Sequence, residues 1–130
     1  MPSFLRFFVF IFVATTFYVV ALNNEIYTIA SPPSMGYHIV LRKLESIVAF
    51  VIVATSMNWW LMLRRPRAVL ALCTAAYSAL IEIGQRLSGS HEQLAESLFD
   101  VACGAAGGYI AGLLARTLWK RARDRSTGAR

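Results

Sequence analysis

Four apolar stretches constrain the fold of this chain more than any other feature of its sequence. Each is close to the roughly 20 residues that a helix needs to cross about 30 Å of hydrocarbon. Of the 130 residues, 57% are hydrophobic and 15% charged, and the mean hydropathy is +0.53, which is too apolar for a soluble domain of this length. We predict an all-α integral membrane protein, a four-helix bundle forming one domain over residues 1–130, with spans at about 4–22, 44–63, 68–87 and 94–119.

The first stretch has a second interpretation as a secretory signal, because Val19-Val20-Ala21 is an acceptable cleavage site. Two features favour a retained span instead. The amino-terminal region carries only Arg6 as a basic residue, and the apolar run is long for a signal.

The segments between the spans differ in length and composition. Residues 23–43 are polar to mixed and contain Ser31-Pro32-Pro33-Ser34 and Gly36, so we expect a loop there. Residues 64–67 form a link so short that the second and third spans must be an antiparallel hairpin. The basic tail, residues 120–130, is predicted to be disordered at its end.

Charged residues separate to the two sides of this arrangement. Six of the seven acidic residues lie toward one side, together with Arg42, Lys43 and Arg86; they are Glu25, Glu45, Glu82, Glu92, Glu96 and Asp100. Because short cytoplasmic segments collect Lys and Arg, we predict a multi-pass protein of a bacterial inner membrane with both termini cytoplasmic. The basic residues of that side are Arg6, Arg64, Arg65, Arg67, Arg116, Lys120, Arg121, Arg123, Arg125 and Arg130.

Several other functional classes lack support in the sequence. The net charge of +6 does not indicate a nucleic-acid partner, because the basic residues lie at the ends of apolar runs. Cys73 and Cys103 lie inside such runs, where a disulfide is not expected. His38 and His91 do not stand at a recognisable metal-ligand spacing, so we expect neither a metal nor a cofactor.

Ionisable groups inside a span cost about 2.5 to 3.5 kcal/mol on insertion scales, so each needs an explanation. Glu45, Glu82, Gln85 and Asp100 are predicted to reach a similar depth on the outward side. Glu82 and Gln85 are three residues apart and share a helix face. We interpret the four as a candidate ligand-binding site. The alternatives are hydrogen bonding between helices and, for Glu45, a favourable interaction with the helix dipole.

A candidate anion-binding rim lies near these residues. Arg42, Lys43, Arg86 and His91 can donate charge-assisted hydrogen bonds to a phosphate at the outer interface. The alternative is that these side chains are solvated or extend toward the membrane surface without binding a ligand.

Small residues follow Asp100 along the fourth span. Gly104, Gly108 and Gly112 recur at four-residue steps, with Gly107 beside them, a spacing that lets another helix approach closely. Because Asp100 heads this face, close packing is expected to place its carboxylate inside the bundle.

The residues of the third and fourth spans carry a family resemblance. Ala79-Leu80-Ile81-Glu82-Ile83-Gly84-Gln85, followed by Phe99-Asp100-Val101 and a glycine-rich helix, resembles the VanZ-like family of small bacterial membrane proteins. The resemblance covers roughly residues 42–114, including Lys43-Leu44-Glu45-Ser46-Ile47-Val48-Ala49-Phe50. Glu82, Gln85, Asp100 and Gly107 match the family pattern. The chain departs from it in a longer loop before Asp100, no clear counterpart of the loop Arg beyond His91, and Gly104 where Asn is common.

The resemblance implies an envelope protein without a defined activity, since the namesake is associated with teicoplanin resistance and most members are biochemically undefined. We expect the bilayer as partner and binding of a lipid or lipid-linked cell-envelope precursor at the outer leaflet, through Glu82, Gln85 and Asp100. One alternative is a membrane enzyme using Glu82 or Asp100 as general acid or base, although no nucleophile or metal motif supports it. Another is a structural helper whose glycine face docks a partner membrane protein or a second copy.

Overall fold

Four helices make up the part of the chain that the computed structural model describes, residues 2–23, 37–62, 66–89 and 94–127. They are α1, Ser3–Leu22; α2, His38–Leu61; α3, Pro66–Leu87; and α4, Leu94–Thr127. The prediction of an all-helical chain with four helices is confirmed for these residues.

One predicted boundary is wrong, and the predicted tail is helical over most of its length. Residues 38–43 belong to α2 rather than to a loop, because the helix breakers of that segment end at Gly36 and nothing between Tyr37 and Leu61 interrupts a helix. Residues 120–127 of the predicted tail continue α4, which has 34 residues and extends about 51 Å at 1.5 Å per residue. The remainder of the predicted loop, residues 24–36, lies outside the described residues.

The ends of α2 and α3 follow from local chemistry. Met62 adopts a left-handed conformation, with φ of 51°, and its N–H donates to the Asn58 carbonyl at 2.8 Å, which ends α2. Pro66 is the first residue of α3, where its missing N–H costs no hydrogen bond. Gly89, with φ of 93°, follows the end of α3 in a conformation that favours glycine.

The contacts of α4 give the direction of its two main neighbours. Along α3 they run in opposite order, since Gly104 lies against Ser78 and Gly112 against Arg67. Along α2 they run in the same order, since Asp100 pairs with Lys43 and Gly107 lies against Phe50. Hence α4 is antiparallel to α3 and parallel to α2.

Hydrogen bonds from α3 give the direction of α1. The Tyr77 hydroxyl donates to the Ala14 carbonyl at 2.5 Å, and the Gln85 amide donates to the Ala21 carbonyl at 2.8 Å. The order is the same in both helices, so α1 and α3 are parallel. The bundle therefore runs up, down, up, down, and the acidic ends of α2, α3 and α4 meet at one end of it.

The closest approach in the bundle is between α3 and the glycine face of α4, Gly104, Gly108 and Gly112. A β-carbon on Gly104 would lie 2.8 Å from the Ser78 β-carbon and 2.9 Å from the Thr74 carbonyl oxygen. On Gly108 it would overlap with the Leu70 carbonyl. Only glycine lets these two backbones pack so closely, as the spacing predicts.

Gly107 points to a different neighbour. A β-carbon there would lie 2.6 Å from the Phe50 β-carbon of α2. Thus α4 carries glycine toward two helices, and its contacts with α3 and α2 are the most extensive in the bundle.

Large apolar side chains cover the outside of the bundle, among them Phe4, Phe12, Leu72 and Leu118. Three helices are long and apolar enough to cross a membrane, over Ser3–Leu22, Arg67–Leu87 and Glu96–Leu118. These are the features of a membrane protein. The span predicted in α2, which carries Arg42, Lys43 and Glu45 in its first turns, is not among the three.

Replacing Gly108 by leucine is expected to destabilise the bundle by about 1–3 kcal/mol or more, because the side chain would force α3 and α4 apart. Thermal unfolding in detergent, followed by circular dichroism, measures the loss. Ala106→Leu on the exposed side of α4 is the matched control and should unfold close to wild type. Equal unfolding temperatures for the two variants would contradict the packing described here.

The antiparallel arrangement predicts that residues 2 and 127 lie on the same side of the membrane, and the basic residues predict that this side is cytoplasmic. Fluorescent-protein fusions at each terminus should fluoresce, while alkaline phosphatase fusions at the same positions should be inactive. Active phosphatase at both ends would reverse the orientation. Activity at only one end would contradict the four-span arrangement.

Candidate functional site

A cavity of about 700 Å³ opens at the acidic end of the bundle and has walls from all four helices. Its apolar wall includes Phe17, Val20 and Ala21 of α1. Toward the middle of the bundle lie Phe50 and Tyr77, whose rings meet edge to face with centroids 6.2 Å apart. The cavity is therefore polar near the helix ends and apolar deeper in the bundle.

All four residues of the predicted site line this one cavity: Glu45, Glu82, Gln85 and Asp100. Glu96 lines it as well. Every acidic residue whose side chain the structure describes thus faces the same space. The antiparallel order of the helices explains this, because it brings the start of α2 and α4 to the end of α3.

Glu82 is the most buried of these acids. It is 8% exposed, and no described residue forms a hydrogen bond or ion pair with its carboxylate. The Glu82 oxygens are not among the described side-chain atoms that are buried without a hydrogen-bond partner, so they remain accessible from the cavity. Glu82 therefore offers unused hydrogen-bonding capacity to whatever occupies the cavity.

Asp100 differs from Glu82 in having a charged partner. The Lys43 ammonium of α2 donates to its carboxylate, and the two side chains are 26% and 20% exposed. The same ammonium lies 5.4 Å from the centroid of the Phe99 ring. The pair links α2 to α4 at the mouth of the cavity, so a large part of the binding capacity of Asp100 is already used within the chain.

Two neighbouring polar side chains hold helices together. The Gln85 amide donates to the Ala21 carbonyl, one of the last in α1, where helical partners run out. The Ser78 hydroxyl donates to the Asp100 backbone carbonyl at 3.0 Å. Gln85 thus positions α1, and with it the apolar wall, as well as lining the cavity.

Of the four residues predicted as an anion-binding rim, the structure places two on the wall of the cavity. Arg42 and Lys43 line the cavity. Arg86 is exposed and does not line it, and its guanidinium donates to the Ser97 hydroxyl of α4 at 3.1 Å. His91 lies outside the described residues.

Sequence reasoning missed two parts of the site. It did not find the Lys43 partner of Asp100, because 57 positions separate the two residues and no local spacing links them. It also did not find that α1 supplies an apolar wall, since Phe17 and Val20 are indistinguishable by residue type from side chains that face lipid. The Gln85 to Ala21 hydrogen bond, which holds α1 in place, has no signature in the sequence either.

Metal chemistry has no ligand cluster in this part of the molecule. Among the described residues, no three or more His, Cys, Asp or Glu side chains are placed to hold an ion. The acids of the cavity are thus spread along its wall rather than converging on one point.

A second cavity, of about 560 Å³, lies at the opposite end of the bundle between α2 and α4. Asn58, Trp59, Ala115 and Arg121 are among the residues that line it. None of the described side chains that line it is acidic. It therefore provides a natural comparison for experiments on the first cavity.

Comparisons with protein-family models, with curated proteins and with solved structures find no match for this chain. What the structure defines is the class, an all-helical protein with three helices long and apolar enough to cross a membrane and a mixed polar and apolar cavity at one end. The VanZ-like resemblance stays a prediction.

Removing one partner of the Lys43 and Asp100 pair is expected to cost more stability than removing both. The Lys43 and Asp100 pair is partly buried, so we expect a coupling energy of about 1–2 kcal/mol, between the values for exposed pairs and for fully buried pairs. Thermal unfolding of Lys43→Met, Asp100→Asn and the double variant measures this coupling as a double-mutant cycle. Simple additivity of the two single losses would show that the two charges do not stabilise each other.

Proposed function

We propose that this protein binds a membrane lipid or a lipid-linked cell-envelope precursor in the cavity at the acidic end of the bundle. The observation that carries the proposal is a cavity of about 700 Å³ with Glu82 on its wall, a buried residue whose carboxyl group has no partner among the described residues. Its volume lies within the range of about 300–1,000 Å³ common for ligand sites.

The distribution of polarity in the cavity supports an amphiphilic ligand. Charged residues lie near the helix ends, where a head group resides in a bilayer. Phe17, Val20 and Phe50 supply apolar surface next to them, which suits an acyl or isoprenoid chain. A fully polar metabolite would leave this apolar wall without a complementary partner.

The distribution of charge between the two ends supports an outer-leaflet site in a bacterial inner membrane. Arg67, Arg116, Lys120 and Arg121 lie toward the end away from the cavity, and short cytoplasmic segments collect such residues. With that end in the cytoplasm, Glu82 faces the outer leaflet.

The two alternative functions make different demands on these residues. An enzyme would use Glu82 as general acid or base, since Asp100 is held in an ion pair with Lys43. A helper that docks a partner through Gly104, Gly108 and Gly112 would need that face free, but α3 of the same chain covers it. Ligand binding therefore accounts for more of the described geometry than docking through the glycine face.

Filling the cavity is expected to abolish lipid retention. Ala49 lines it on α2, and Ala49→Trp would place an indole in the space that the ligand needs. Native mass spectrometry of the purified protein should show a co-purifying envelope lipid in wild type and a loss of at least about tenfold in its occupancy in Ala49→Trp.

The matched control is Ala115→Trp, which fills the second cavity at the other end and should retain the lipid. Similar unfolding temperatures for the two variants would show that a difference in retention comes from the site. Equal lipid retention by wild type and Ala49→Trp would contradict the proposal. Chemical conversion of the retained lipid by wild type but not by Glu82→Gln would favour the enzyme.

A further inference from the structure

The acidic end of the cavity has an excess of negative charge. Four carboxylates line it, from Glu45, Glu82, Glu96 and Asp100, and two cations, from Arg42 and Lys43. The pairing of Lys43 with Asp100 removes one charge of each sign. The described side chains on this wall thus comprise two more acidic than basic groups, a balance that disfavours an anionic head group.

Glu82 is the acidic residue of this wall that is available to accept a hydrogen bond from a ligand. It is more than nine-tenths buried, it lies on the cavity wall, and no described residue donates a hydrogen bond to it. A carboxylate accepts hydrogen bonds and donates none. A ligand that satisfies Glu82 must therefore bring donors, and a cationic donor forms the stronger, charge-assisted bond.

We infer that the ligand of this cavity is an amphiphile whose head group carries a protonated amine, and that Glu82 accepts a hydrogen bond from that amine. This rests on the proposed function and narrows it from lipids in general to aminated ones. Two sources share the chemistry, an ethanolamine phospholipid and a lipid-linked precursor bearing a free amine elsewhere in its head group.

An inorganic cation fits the same wall less well. Divalent metal ions need several oxygen or nitrogen ligands at short range, and the described residues hold no cluster of three or more such side chains. The apolar surface from Phe17, Val20 and Ala21 beside Glu82 would also remain unused by a bare ion. An ammonium group attached to an apolar chain uses both features.

The test is a ligand series on the full chain in detergent, with apparent dissociation constants from native mass spectrometry. The probes share dioleoyl chains: phosphatidylethanolamine, its N-acetylated form, phosphatidylglycerol and lysyl-phosphatidylglycerol. Wild type should bind phosphatidylethanolamine about tenfold more tightly than the N-acetylated form or phosphatidylglycerol, since those two lack a cationic amine. Tight binding of lysyl-phosphatidylglycerol as well would show recognition of the amine on either scaffold. Its absence would assign recognition to the phosphoethanolamine group.

Glu82→Gln tests the assigned acceptor, because it keeps the shape of the side chain and removes its charge. The preference for amine-bearing lipids should fall to within about twofold, while phosphatidylglycerol should bind at least as tightly as to wild type, because one negative charge has been removed from the wall. Asp124→Asn is the control, since it removes one negative charge about 36 Å along α4 from Asp100, toward the opposite end of the bundle, and should keep the preference. If Glu82→Gln does not fold, the N-acetylated lipid alone decides, because it tests the amine in the wild-type chain.

Different results would contradict the lipid site and the recognition of an amine by Glu82. Equal or tighter binding of phosphatidylglycerol by wild type, with loss of every lipid in Ala49→Trp, would leave a lipid site in place and overturn the amine. Retention of the amine preference in Glu82→Gln would overturn the assignment of Glu82. If wild type bound no lipid, or if Ala49→Trp bound the lipids as tightly as wild type, the proposed lipid site itself would be overturned.

Discussion

The close approach of α3 and α4 is the contact on which the rest of the molecule depends. Gly104, Gly108 and Gly112 allow the α4 backbone to reach the Thr74 and Leu70 carbonyls of α3, where any side chain would collide. In a bilayer, association between helices depends largely on such packing, because lipid is as apolar as the helix surface. This contact sets the register between the two helices, and so it places the Asp100 backbone carbonyl beside Ser78 and Glu82 one turn farther along α3.

The charged end of the bundle follows from that register. Asp100 is carried toward α2, where Lys43 compensates its charge, and Gln85 satisfies a carbonyl at the end of α1. These polar contacts hold α1 and α2 at the acidic end while a space remains between all four helices. Glu82 faces that space without a partner among the described residues. An ionisable side chain in this position needs an explanation, and the proposed ligand site supplies one.

Much of the fold and part of the site were predictable from the residues, for identifiable reasons. The apolar runs of α1, α3 and α4 have the length of membrane spans. The four-residue glycine spacing predicts a close contact with another helix, whichever helix that is. The predicted start of α2 was six residues too late. The polarity of Arg42, Lys43 and Glu45 is typical of a loop, although these residues lie on the first turns of the helix. Here the tertiary environment supplied partners for polar residues that the local sequence does not show.

The sequence by itself determined the helices, their antiparallel order and the end of the bundle at which the acids gather. The length of the apolar runs predicts the helices, the short links predict their order, and the positions of the charged residues along the chain predict the acidic end. Only the tertiary structure decided which of those acids are satisfied. Asp100 meets Lys43 and Glu82 meets open space, yet both are carboxylates near the end of an apolar helix. The difference arises from the rotation of each helix about its axis, which packing between distant residues sets.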